Sequence, residues 1–174
     1  MWWLHAFHGH WERARLYLER VGVRDWKKME RDVKAFEDKF AEYLRERGLY
    51  LDVSEFNKER CSKLTPNFPS RYGISERDDF YKRWSYSGWA GSSGDDSCII
   101  AYDSILYAEP NNYETMILHS ALHAGDSDST GTIAAAWFGA NHGFLNVIPS
   151  HWEEIEKKQE MIQLSSQLCQ LFSH

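Results

Sequence analysis

The chain has 174 residues, of which 43% are apolar and 15% aromatic, and it carries a net charge of −6. That length suits one domain, and the apolar share suffices for a core, which excludes wholesale disorder. The acidic balance, without any basic cluster, argues against nucleic acid or an anionic membrane as the main partner. No apolar run approaches the ~18 residues of a membrane-spanning helix, and Met1 to His5 lacks the basic lead of a secretory signal. Cys61, Cys98 and Cys169 lie far apart and are odd in number. They form neither a zinc spacing nor a disulfide framework, so reduced thiols in a cytoplasmic protein are expected.

Residues 1–10 hold Trp2, Trp3 and three histidines, His5, His8 and His10. Imidazole binds transition metals, but a loosely packed leader is the expected role. Trp11 to Val21 reads as a short helix closed by Gly22, and Asp25 can cap the next one. Trp26, Met29, Val33, Phe36, Phe40 and Tyr43 then recur at spacings of 3, 4, 3, 4 and 3. That is the apolar face of an amphipathic helix, a core stripe ended by Gly48. Leu49 to Ser75, with Pro66, Pro69 and Gly73, reads as a long surface connection. Glu76 to Arg83 is helical again.

Ser85 to Gly94 is rich in serine and glycine around Trp89. Serine hydroxyls and exposed N–H groups suit ribose or phosphate oxygens, and Tyr86 and Trp89 can stack on a planar base. The plain alternative is a tight turn with Trp89 buried beneath it. Asp95 to Ala108 is a helix with Ile99, Ile100, Tyr102, Ile105 and Leu106 mostly inward. Glu109 to Asn112 is a turn, and Tyr113 to Ala124 a helix.

Gly125-Asp126-Ser127-Asp128-Ser129-Thr130-Gly131 follows. Two carboxylates two residues apart, with hydroxyls between glycines, can converge on a hard cation; Mg²⁺ takes one or two carboxylates with hydroxyls and waters. Alternatively Asp126 or Asp128 caps the following helix. An Asp-x-Asp-x-Thr phosphatase motif requires a preceding strand, and His119 to His123 does not read as one. Ser129 to Asn141 is apolar nearly all round, which predicts a buried helix. His119, His123 and His142 read as hydrogen-bonded core or edge residues rather than ligands, since a hard cation prefers oxygen. Ser150-His151-Trp152-Glu153 reads as a capping box that starts a last helix bearing Met161, Leu164, Leu168 and Leu171. No strand stands out, so the fold class is all-α.

The Gly125–Gly131 heptad resembles the C-terminal metal motif of the ADP-ribosylglycohydrolases, most closely the ADP-ribosylarginine hydrolases. Tyr86-Ser87-Gly88-Trp89-Ala90-Gly91-Ser92-Ser93-Gly94, Ile100-Ala101-Tyr102-Asp103, Gly139 and Gly143-Phe144 are similar to the same family. The resemblance runs from Trp11 to the C-terminus and excludes residues 1–10. It implies a compact all-helical fold that cleaves the N-glycosidic bond between ADP-ribose and a modified arginine, with Mg²⁺ ions beside the ribose. By motif position it implies Asp126, Asp128 and Ser129 as metal ligands, and Asp128 as the best catalytic candidate. It also implies Tyr86, Ser87, Ser93 and Gly94 as substrate contacts. The partner is then ADP-ribose or an ADP-ribosylated protein.

This chain departs from the family in two ways. Arginine-specific members commonly carry His-Asp where Asp95-Asp96 stands, so Asp95 either alters the pocket or serves as a helix N-terminal charge. Family chains are also about twice as long, and their first half supplies an adjacent Asp-Asp ligand pair and a glycine-rich phosphate loop. Neither is found here, and Asp78-Asp79 and Asp95-Asp96 cannot replace the pair. The expectation is a C-terminal half that needs a complementing half or self-association through exposed apolar faces. Two other readings stand beside the hydrolase: a non-catalytic relative that binds ADP-ribose or a protein, and a structural domain whose acidic loop only caps a helix.

Overall fold

The computed structural model describes residues 16, 19–20, 22, 26–50, 63–108 and 111–172. Within them lie seven helices, α1 (Trp26–Glu46), α2 (Ile74–Trp84), α3 (Asp96–Tyr107), α4 (Tyr113–Ala121), α5 (Ser127–His142), α6 (Pro149–Glu153) and α7 (Lys158–Phe172). The described residues contain no sheet, only one isolated bridge between Ala90 and Gly125. The all-α expectation holds. The leader, Asp25, Cys61 and most of the Trp11–Val21 helix lie outside the described residues. None of the helices, over the described residues, is long and apolar enough to cross a membrane.

The periodic stripe of α1 buries its C-terminal half. Phe40 and Tyr43 join Leu44, Phe80, Tyr81, Trp84, Ile99 and Ile100 in one core cluster. Tyr43 meets Trp84 edge-on at 5.7 Å between ring centres and Tyr102 at 6.3 Å. Such pairs add about 0.5–1.5 kcal/mol each beyond area burial. α1 ends as its sequence dictates: Gly48 takes φ 69°, and the Leu49 N–H reaches the Leu44 carbonyl at 2.7 Å. A glycine in that left-handed position closes the last turn with little strain.

A buried polar knot pins α1 to α3. Asp103 is wholly buried and accepts from the Arg47 Nε at 2.7 Å, the Tyr43 hydroxyl at 2.7 Å and the Tyr72 hydroxyl at 2.6 Å. The Arg47 guanidinium also lies over the Phe80 ring, 4.0 Å from its centre. Burial pushes the Asp103 carboxyl up, while Arg47 and the two hydroxyls pull it back. The same burial and carboxylate push the Tyr43 and Tyr72 hydroxyls well above the ordinary tyrosine range.

α3, α4 and α5 pack on one another around a second cluster of Ala101, Met116, Ala134 and Phe138. Asn112 caps α4 by accepting from the Thr115 N–H at 3.0 Å. Three boundaries differ from the sequence expectation. α4 stops at Ala121 rather than Ala124. There the buried Arg77 donates to the Leu118 carbonyl at 3.0 Å and to the Leu122 carbonyl, satisfying the acceptors that a helix end leaves open. α5 begins at Ser127, not Ser129, and is not buried all round. It buries Thr130, Gly131, Ala134 and Phe138, while Thr132, Ala136, Gly139 and Ala140 are exposed. The helix therefore carries small side chains on an open face. Ser150 caps nothing: Pro149 starts α6 one residue earlier, and the left-handed Lys157, φ 58°, separates α6 from α7. Along α7, Met161, Ile162, Leu164 and Leu168 are exposed.

Candidate functional site

Two loops form the site, and the backbone locks them together. The segment before α3 and the acidic loop before α5 pair in parallel at Ala90 and Gly125, where the Asp126 N–H donates to the Ala90 carbonyl at 2.8 Å. The fit admits no side chain at Gly125, because a Cβ there would lie 2.2 Å from the Ala90 oxygen. Gly91 is equally constrained: its φ is +90°, and a Cβ would sit 2.7 Å from Thr130 Cγ2. The heptad's first glycine therefore exists for close approach of two backbones.

On the serine wall, Ser93 is held by its neighbours. Its N–H donates to the buried Asp96 carboxylate at 2.9 Å, and its hydroxyl lies 3.4 Å from the other Asp96 oxygen. Asp95 accepts from the Asp96 N–H at 2.9 Å and pairs with Lys39 Nζ at 2.7 Å. Burial opposes ionisation of Asp95, but Lys39 outweighs it and holds the carboxyl below the usual range. Asp95 is thus the N-cap of α3 tied back to α1. The helix-terminal role expected for Asp95 is the one its contacts display.

On the acidic wall, Asp126 occupies the N-cap position of α5 yet makes no capping bond with its side chain. The neighbouring Asp126 carboxyl and the N–H groups of Asp128 and Ser129 hold the exposed Asp128 carboxyl below its ordinary range. Between the walls lies an open cavity of about 480 Å³, lined by Ser93, Gly94 and Ser97 on one side and Asp128, Ser129 and Thr132 on the other.

Four of the residues expected from the sequence thus meet: Ser93, Gly94, Asp128 and Ser129. Asp126 does not line the cavity, and its backbone N–H makes the bond to Ala90. Tyr86 and Ser87 do not reach the cavity. Both are exposed on the bend 85–89, Tyr86 to 88%, where Gly88 at φ 80° turns the chain away. Trp89 is 59% exposed rather than buried beneath the turn. Ser97 and Thr132 escaped the sequence reading, although they stand four residues beyond Ser93 and three beyond Ser129, the spacings that share one helix face.

The histidines lie off the cavity. His119 stacks on Tyr107 at 4.1 Å between ring centres, and burial with Arg77 nearby lowers its pKa to about 4. His142 lies against the Phe138 ring. The His123 Nε2 is 2.8 Å from Thr130 Oγ1, and burial, helped by Arg77, lowers its pKa. As donors, Asp126, Asp128 and Ser129 offer hard oxygens, and two carboxylates with a hydroxyl suit Mg²⁺ completed by water. Among the described residues no group of three or more His, Cys, Asp or Glu side chains could hold a metal ion, so this is a partial donor set.

This helical framework with an acidic loop facing a serine-glycine loop defines a class. A family model described as ADP-ribosylglycohydrolase matches residues 11–174, and the chain belongs to that family. It is 38% identical over 161 residues to the protein described as ADP-ribosylhydrolase ARH1 of Dictyostelium discoideum, covering 90% of this chain and 41% of that one. It is 27% identical over 156 residues to a putative ADP-ribosyl glycohydrolase, L444, of Acanthamoeba polyphaga mimivirus, covering 85% of this chain and 27% of the relative. The chain therefore spans less than half the length of these curated relatives.

Proposed function

We propose that this chain forms one wall of a Mg²⁺-dependent ADP-ribosylhydrolase site that removes ADP-ribose from modified arginine by N-glycosidic hydrolysis. The observation that carries the reading is the meeting of Asp128 and Ser129 with Ser93 and Gly94 across one cavity, with the Asp126 backbone bonded to the facing loop at Ala90. Membership of the ADP-ribosylglycohydrolase family and similarity to the protein named ADP-ribosylhydrolase ARH1 supply the substrate class.

Asp126, Asp128 and Ser129 are the proposed ligands. Bound Mg²⁺ supplies Lewis-acid stabilisation of charge developing at the ribose. Asp128, exposed and lining the cavity, is the carboxylate we assign to accept a proton. The Ser93 and Ser97 hydroxyls line the cavity and suit ribose or phosphate oxygens. Asp96 keeps the Ser93 backbone fixed. An ADP-ribosylated protein is the proposed partner. Cys98, a free thiol, suits the proposed cytoplasmic setting.

A second reading, a relative that binds ADP-ribose without cleaving it, is favoured by the small acidic set among the described residues. One experiment separates the readings. Release of free ADP-ribose from an ADP-ribosylated arginine substrate is measured with and without Mg²⁺, beside thermal unfolding over a Mg²⁺ titration. Mg²⁺ at about 100 times its Kd should stabilise the chain by about 2.7 kcal/mol, and Asp128→Ala should abolish the shift. An unchanged shift in Asp128→Ala removes the metal role of the loop. A metal shift and ADP-ribose binding without release leaves the binding reading standing.

A further inference from the structure

The acidic loop is not held only by its bridge to Ala90. Thr130, wholly buried in the first turns of α5, receives three constraints. Its hydroxyl donates to the Ser120 carbonyl at 2.6 Å, at the end of α4. Its methyl group faces Gly91, where even a Cβ would come within 2.7 Å. Its oxygen also lies 2.8 Å from His123 Nε2. The hydroxyl proton is committed to Ser120, so the imidazole is the donor and carries its proton on Nε2. Behind the imidazole stands the fully buried Tyr81, edge-on with ring centres 5.3 Å apart. On the other side His123 Nδ1 lies 2.9 Å from where a Gly125 Cβ would be. The imidazole is thus wedged between the α2 core, Gly125 and Thr130.

We infer that His123 is a positioning residue: through its hydrogen bond to Thr130 it fixes the first turn of α5, and so the placement of Asp128 and Ser129 opposite Ser93. This rests on the metal reading above and adds to it a residue that touches neither the cavity nor the cation. His123 reaches the ligands through one hydrogen bond and two residues of helix. With the imidazole removed, the Thr130 hydroxyl keeps Ser120 and its longer contacts to the Asp126 and Ser127 carbonyls, at 3.2 and 3.3 Å, but loses its side-chain partner, His123. The start of α5 then loses its side-chain tie to the connection that follows α4. Partners hydrogen-bonded directly to a metal ligand govern affinity by about 10–100-fold, and His123, acting through Thr130, belongs at the low end of that range.

The test compares wild type, His123→Ala, His123→Gln and His123→Asn, each titrated with Mg²⁺ alone by calorimetry and each melted without metal. A glutamine amide can place an N–H near the Nε2 position, whereas an asparagine amide reaches only the Nδ1 position. His123→Ala should weaken Mg²⁺ binding about tenfold, His123→Gln should stay within about threefold of wild type, and His123→Asn should resemble His123→Ala. A purely structural role would lower the metal-free melting temperature of all three while leaving Mg²⁺ affinity unchanged. That result overturns the inference and leaves the metal reading intact. Should His123→Ala fail to fold, the glutamine and asparagine pair decides: equal affinities in the two reject the hydrogen bond as the cause. A wild-type chain that does not bind Mg²⁺ removes the metal reading and this role together.

Discussion

Gly125→Ala probes the junction on which the whole site depends. The added methyl would lie 2.2 Å from the Ala90 carbonyl oxygen and 2.9 Å from His123 Nδ1. The first distance is roughly 1 Å inside ordinary contact, and the obstacle is backbone, which cannot swing away as a side chain can. The loops must therefore part by about that much. Overpacking of this kind costs about 1–3 kcal/mol. The 2.8 Å bond from the Asp126 N–H to the Ala90 carbonyl goes with it, worth about 1 kcal/mol. A loss of about 3 kcal/mol corresponds to a fall in Tm of roughly 6–12 °C for a chain of this size. Gly139→Ala is the control. It lies in the exposed stretch of α5 with nothing within 4 Å of its Cβ position, so alanine should stabilise by about 0.5–1 kcal/mol. Far-UV circular dichroism melts without metal read both variants. A Gly125→Ala melt within about 1 °C of wild type would refute the close approach.

The remaining predictions concern the charges buried around the site. Arg47→Met strands the Asp103 carboxylate, since Arg47 and Asp103 are 3% and 0% exposed, and should cost about 3–5 kcal/mol in urea unfolding. The double variant Arg47→Met with Asp103→Leu should cost less than Arg47→Met alone, and a larger loss contradicts the pairing. For His119, burial lowers the folded pKa from 6.5 to about 4, so the unfolded chain binds the proton more readily. Its contribution is fully present above pH ~6.5 and is lost as pH falls toward 4. With solvent screening of a half-buried ring, the loss between pH 7 and 5 is about 1 kcal/mol. His119→Gln should lack this loss, and parallel pH profiles for the two proteins would exclude it.

The elements legible in the sequence are those whose causes are local. The Trp26-to-Tyr43 spacing and Gly48 announce α1 and its end. The heptad announces an oxygen-rich loop. What stayed hidden depends on partners far along the chain. Asp103 reads as the polar residue of an apolar helix, but its place in the core is fixed by Arg47, 56 residues away. α4 stops early because Arg77, 41 residues before Leu118, takes its final carbonyls. Tyr86 stands out into solvent two residues before the left-handed Gly88, and its stacking-competent ring type does not reveal that exposure. The facing of Ser93 and Ser129 was available only through the family resemblance. In the folded chain it follows from one backbone contact between Ala90 and Gly125.

That contact makes the two loops a single inherited unit. Gly91 touches both Thr130 and the Asp126 backbone, while Gly125 touches Ala90, so neither loop can change shape without an answering change in the other. Substitutions spread across residues 90–94 and 125–130 should be strongly epistatic, the second change either rescuing or compounding the first. A sequence drifting in one loop alone quickly loses the facing walls. Exchange of both loops together between family members should therefore preserve the facing walls better than exchange of either loop alone.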